Sequence, residues 1–289
     1  MMSQSISKVI KQGELRLAQA GKADAAIDAK LLMLYVLDCS SAMLLLNKDK
    51  ELEQDKLEIY LDYIEKRASG VPLQHITSEQ EFMGLSFYVD ENVLVPRQDT
   101  ETLVEKVVML NDKYHFKTAI DIGTGSGCIG ISLAHYIKDL KVTLLDISDK
   151  ALEVAQRNIK SNNVETRVIT LKSDVLDEYR NANAAQEARV DLIVSNPPYI
   201  AQKDIPGLMT EVKDHDPMMA LTDGLDGLEF YRRISHDAKE YLNENGVLVY
   251  EIGYDQREDV IRILENEGYH DIEYIKDMQG NDRVVVGFL

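Results

Sequence analysis

The spacing of apolar and polar positions changes character along the chain. Residues 1 to about 70 carry helical spacing and no strand-like runs. Ile27, Leu31 and Leu34 fall on one stripe, as do Leu57, Tyr60, Leu61 and Ile64, and Gly70-Val71-Pro72 ends the last helix. This predicts a small helical bundle over residues 1–80. Between Glu81 and Val95 the apolar residues come in short β-like runs, Leu85 to Val89 and Asn92 to Val95, parted by Asp90-Glu91. A β-hairpin linker over 81–96 is therefore expected. From Thr102 onward strand-like and helical segments alternate, which predicts a doubly wound α/β domain over 97–289. Its seven strands are expected near 118–122, 141–146, 167–171, 190–195, 246–252, 271–275 and 283–288.

Two strand ends carry chemistry. Thr118-Ala119-Ile120-Asp121-Ile122 runs into Gly123-Thr124-Gly125-Ser126-Gly127 and then an apolar helical stretch from Cys128. Glycines there let the backbone turn sharply and approach a ligand at a helix N-terminus. Asp146, at the end of the next strand, is placed like the acid that bonds ribose hydroxyls in nucleoside-binding folds. Gly125-Ser126-Gly127-Cys128-Ile129-Gly130 also fits a dinucleotide fingerprint, so a nicotinamide or flavin enzyme competes with this reading. The carboxylate of Asp121 disfavours a pyrophosphate and suits an ammonium and a sulfonium, which favours S-adenosylmethionine. An ordinary tight turn with a surface Asp146 is the bland alternative.

The second strand end is Asp191-Leu192-Ile193-Val194-Ser195, followed by Asn196-Pro197-Pro198-Tyr199. An Asn at the end of a buried strand, stiffened by two prolines and followed by an aromatic ring, forms a grip for a flat amide or amino group. Read alone, a rigid turn is the bland alternative.

Taken together these motifs resemble the release factor glutamine methyltransferase family, and the likeness covers almost the whole chain. Val71-Pro72-Leu73-Gln74, Glu81-Phe82-Met83-Gly84, Val93-Leu94-Val95-Pro96-Arg97 and Glu251-Ile252-Gly253 contribute to it. So do Asp223 to Leu228 with Tyr231-Arg232, and Lys276-Asp277 with Gly280 and Asp282-Arg283-Val284-Val285. The chain departs from the family at Gln98-Asp99 and at Thr222-Asp223. The resemblance implies a class I methyltransferase fold whose last strand is antiparallel. It also implies methylation of the glutamine side-chain nitrogen in the Gly-Gly-Gln motif of class-1 peptide chain release factors. An amide nitrogen is a poor nucleophile, so help must come from placement and from hydrogen-bond acceptors. The Asn196 side-chain oxygen and the Pro197 carbonyl are the natural acceptors, Pro198 adds no competing donor, and Tyr199 would stack on the amide.

Composition narrows the alternatives. A net charge of −18 opposes a polyanion, so direct nucleic-acid binding is not expected and a basic protein partner fits better. A DNA or RNA amino-methyltransferase and a catalytically inactive interaction module remain the competing readings. Cys39 and Cys128 are the only cysteines, which points to a reducing cytoplasm. Leu31 to Leu46 is broken by Asp38 and a serine pair, so no membrane span is expected, and six scattered histidines predict no metal site. Asp174 either meets the adenine edge or is a turn residue. Arg97 and Glu101 either border the site or pair on the surface, and Glu251 is expected to be structural. The helical bundle either recognises the protein substrate or only stabilises the catalytic domain.

Overall fold

The computed structural model describes residues 4–182 and 189–289. They divide into two compact units, one formed by residues 1–78 with 209–215, the other by 79–208 with 216–289.

The first unit is helical: Ile6–Gln19, Ala25–Leu37, Ser41–Asn47, Gln54–Ser69 and Leu73–Thr77, joined by the short helix Thr210–His215 from far along the chain. Val9, Leu17, Leu32, Met33, Tyr60 and Ile64 form its core. Of the stripe expected from Ile27, Leu31 and Leu34, two residues face outward, Ile27 58% and Leu31 41% exposed, and only Leu34 packs against the core. The buried face of that helix is Ala25, Asp28, Ala29, Leu32, Met33 and Val36. Its one charge is accounted for: Asp28 takes a 2.6 Å bond from Arg67, both side chains being 9% exposed. Arg67 also binds Glu211 at 2.8 Å, and Lys22 binds the same carboxylate at 3.1 Å. Those bonds tie the 209–215 segment into the bundle.

The second unit opens with a hairpin, β1 (Gln80–Phe82) and β2 (Leu85–Phe87), turning at Met83-Gly84. This corrects the expected hairpin. Asn92 to Val95 is not a strand, and residues 88–97 run as coil. Buried Asn158 holds that coil, exchanging two bonds with the Tyr88 backbone and donating to the Ser126 carbonyl at 2.9 Å.

The main sheet contains β3 (Thr118–Ile122), β4 (Lys141–Asp146), β5 (Val168–Lys172), β6 (Val190–Ser195), β7 (Leu242–Glu251), β8 (His270–Lys276) and β9 (Asp282–Phe288). Their order is β5-β4-β3-β6-β7-β9-β8, with β9 antiparallel to both neighbours and the other pairs parallel. All seven strands stand where the apolar runs place them, and β7 begins earlier than expected, at Leu242. Helices on both faces bury the apolar strands, giving one cluster around Leu103, Phe116, Leu144 and Val249 and another around Ile120, Ile193, Tyr231 and Leu248. The strand order reverses between β3 and β6, and an open α/β sheet binds ligands beyond the carboxyl ends of its strands at such a point.

Candidate active site

Strand register decides which residues meet. Ile122 pairs with Leu145 and with Ser195, and Ser195 pairs with Tyr250. The glycine loop, Asp146, Asn196 and Glu251 therefore leave the sheet at one edge. The glycine loop, Asp146 and Asn196 border a cavity of about 370 Å³ that lies wholly within the second unit, and Glu251 is not part of its lining.

Gly123, Thr124, Gly125, Ser126, Asp146 and Asp174 line this cavity, as do Asn196, Pro197, Pro198 and Arg97. Three other expected site residues do not. Asp121 is fully buried beneath the loop, where its Oδ2 accepts from Thr124 Oγ1 at 2.6 Å and from the Gly130 amide at 3.0 Å. Its Oδ1 has no partner, and burial pushes its pKa up to about 6. Gly127 begins the helix Cys128–Tyr136 with φ +82° and packs on Ile131 and Leu144. The Tyr199 ring packs against the apolar cluster around Tyr231, so this structure does not present it as a wall on which an amide would stack.

Asp146 accepts from the Gly125 amide and from the Ser148 amide, each at 2.9 Å, which couples it to the loop. Asp174 pairs with Arg233 at 3.1 Å. Arg97 pairs with buried Asp216 at 2.9 Å, while Glu101 turns away and accepts from the Met83 amide at 2.5 Å. Arg97 thus borders the cavity, and Glu101 anchors the hairpin.

Several contributors were not legible as motifs. Asn196 Nδ2 donates to Thr100 Oγ1 at 3.4 Å, leaving Asn196 Oδ1 as an uncommitted acceptor. Glu251 is 2% exposed, and burial pushes its carboxyl up to about 7 against hydrogen bonds from Thr100 and Asn196 and the charge of Arg283. Arg283 is held by Asp277 at 3.1 Å and faces Asp99 at 3.3 Å, so the carboxylate that this departure keeps is used in the cluster. The departure at Asp223 is also used: its carboxylate accepts from the amides of Leu225, Gly227 and Glu229 and caps that turn. Glu251, Asp277, Arg283 and Asp223 lie in segments that carry the family resemblance and Thr100 stands beside the departure at Asp99, but their spacing along the chain does not show that they meet. Among the described residues no cluster of His, Cys, Asp or Glu is placed to hold a metal ion.

Residues 8–77 match the PrmC N-terminal domain, and residues 98–212 match the methyltransferase small domain. The release factor glutamine methyltransferase of Clostridium acetobutylicum is 43% identical over 90% of this chain and 90% of its own length. That of Geobacter sulfurreducens is 38% identical over 98% of this chain and 96% of its own. The chain belongs to the release factor glutamine methyltransferase family. It is a methyltransferase that uses S-adenosylmethionine, as members of this family do.

Solved structures agree on the fold. A methyltransferase from Pyrococcus furiosus aligns at TM-score 0.51 and 21% identity, covering 82% of this chain and 98% of that one. The hMettl16 catalytic domain in complex with the MAT2A 3'UTR hairpin 6 aligns at 0.55 and 18% identity, covering 82% of each chain. The residues present fit the cofactor: a glycine loop without bulk, an acid at the end of β4, and an orphaned buried carboxylate oxygen under the loop suit a cationic nucleoside.

Proposed function

We propose that this methyltransferase modifies the side-chain amide nitrogen of the glutamine in the Gly-Gly-Gln motif of class-1 peptide chain release factors, in the cytoplasm. The observation that carries this reading is the state of Asn196. With Nδ2 committed to Thr100, its Oδ1 is free to accept from the substrate amide. The Pro197 carbonyl accepts the second amide hydrogen, so the nitrogen lone pair turns toward the donor. S-adenosylmethionine, when bound, supplies an electrophilic methyl on a sulfonium. A carbon–nitrogen bond forms as the carbon–sulfur bond breaks, and the amide nitrogen gives up a proton to solvent. Asp146 would hold the ribose hydroxyls and Asp174 the adenine edge, while the loop Gly123 to Ser126, whose Thr124 and Gly125 amides are already spent on the Leu145 carbonyl and on Asp146, would let the cofactor approach without side-chain bulk. Asp121 keeps the loop in shape from beneath, through its bonds from Thr124 and the Gly130 amide, and would act on a cationic ligand by charge across the loop rather than by contact.

The helical unit is assigned to recognition of the release factor. An acidic protein with a net charge of −18 suits a basic protein partner better than a polyanion. Incubation with methyl-labelled cofactor and, separately, a class-1 release factor, duplex DNA and rRNA tests the reading. Label is expected in the release factor alone, and label in either nucleic acid would displace the proposal.

A further inference from the structure

Beyond the ends of β6 and β7 the chain has no ladder to hold it, and Pro197 and Pro198 supply no N–H. The first backbone anchors after Asn196 are at Tyr199 and Ile200. The Ile200 amide donates to the Leu221 carbonyl at 2.9 Å, and the Tyr199 carbonyl accepts from Gln256 Nε2 at 2.9 Å. Gln256 is the hub of this corner. Its Nε2 also donates to the Gly227 carbonyl at 3.2 Å, and its Oε1 accepts from the Gly253 amide at 3.0 Å. The Tyr231 hydroxyl, which donates to the Glu251 carbonyl at 3.0 Å, stands 3.4 Å from the same oxygen. Reversing the amide would set its NH₂ against an N–H and its oxygen against two carbonyls, so the partners fix its orientation. Gly227, at φ +81°, presses on the same point: a Cβ there would sit 2.3 Å from the Tyr199 carbonyl oxygen.

We infer that Gln256 is a positioning residue for methyl transfer, fixing the Tyr199 carbonyl so that the stiff Pro197-Pro198 link holds Asn196 in place at the cavity. The inference rests on the role proposed for Asn196. Both prolines have φ locked near about −65°, so a shift at Tyr199 is passed along the link rather than absorbed in it. Misplacing a reacting group by about 1 Å costs on the order of 100-fold in rate. Gln256 does not itself line the cavity, so its effect reaches the reaction through Asn196.

The test is Gln256→Glu in the full chain, assayed with an intact class-1 release factor and labelled S-adenosylmethionine. The carboxylate keeps an acceptor for the Gly253 amide but loses the donor and faces two carbonyls. We expect kcat to fall about 100-fold, with the cofactor Kd and the KM for the release factor changing less than about threefold. Gln256→Met, similar in length and uncharged, should show the same split, and it covers the case in which the added charge unfolds the corner. In an Asn196→Ala background either substitution should cost clearly less than it does alone, because the share of the loss carried by the Asn196 side chain is already gone and only the Pro197 carbonyl is left to be displaced. If Asn196→Ala alone turns over normally, the Asn196 reading falls and this inference with it. If Asn196→Ala is slow, three results overturn the positioning role alone. These are normal turnover of both Gln256 variants, losses that multiply fully with Asn196→Ala, or cofactor affinity that falls together with kcat.

Discussion

At the scale of single residues, the site separates groups that meet the substrate from groups that tune them. Asn196→Ala removes the uncommitted Oδ1, an interaction made strongest when the amide is aligned for transfer. It should lower kcat by on the order of 100-fold while leaving S-adenosylmethionine affinity, measured by calorimetry, nearly unchanged. A parallel loss of cofactor binding would show that Asn196 serves the cofactor instead. Glu251 acts behind it. Its carboxyl titrates near 7 in the fold against an ordinary value of 4.5. Below about pH 4.5 it is protonated both folded and unfolded, and its burial carries no ionisation cost. As pH rises toward 7 the unfolded chain ionises first, stability falls, and above 7 the loss is complete. Glu251→Gln removes this dependence, so the variant's stability relative to wild type should rise between pH 4.5 and 7 by up to about 3 kcal/mol and then level off. Denaturant titrations across that range measure it, and a pH-independent difference would refute the role of burial.

At the scale of elements, what was legible in the sequence follows from how local each signal is. Most of the strands β3 to β9 are runs of β-branched and apolar residues closed by turn residues, β8 mixing polar with apolar positions instead, and the glycine loop and Asn196-Pro197-Pro198-Tyr199 are contiguous, so both survive a reading of the chain alone. The helix Ala25–Leu37 buries a face that its large apolar residues do not predict, because that side uses two alanines and an Asp, whose cost is offset by Arg67 from another helix. The run Asn92 to Val95 looks like a strand but borders the cavity, with Asn92, Val93 and Leu94 among its lining. Glu251 and Arg283 belong to quoted motifs, but their contact, and the parts played by Thr100 and Gln256 at the starts of the helices Gln98–Tyr114 and Arg257–Glu267, arise only when the fold brings them together. The loop-to-helix junction is sensitive to substitution. Gly127→Ala forces an L-residue to φ +82° with its Cβ 2.8 Å from Ile131 Cδ1. It should cost about 1–3 kcal/mol of stability and weaken cofactor binding, read by thermal melts with and without S-adenosylmethionine. An unchanged melting temperature would mean that the loop adopts another path.

At the scale of the whole molecule, the division of labour between the two units is the question that the domain boundary makes testable. The hairpin β1–β2 belongs with the catalytic unit, since Phe82 and Phe87, 1% and 0% exposed, sit in the cluster with Leu103 and Phe116. A cut at Val89 would strip both rings from that core at about 3–5 kcal/mol each, and loss of activity would then report unfolding. The informative cut falls after Ser78. It still deprives Glu211 of Arg67 and Lys22, so the segment 209–215 loses its anchors even if recognition plays no part. Glu211→Ala in the full chain reproduces that loss while leaving the bundle in place, and serves as the control. If the helical unit recognises the release factor, the chain 79–289 should bind S-adenosylmethionine normally and methylate a short Gly-Gly-Gln peptide nearly as well as the full chain does. Its kcat/KM for the intact factor should fall by at least about tenfold, the loss of about 1.4 kcal/mol of binding, while Glu211→Ala falls far less. Equal losses on peptide and intact factor, or a Glu211→Ala variant as poor as the truncated chain, would make the bundle a stabilising element rather than a recognition surface.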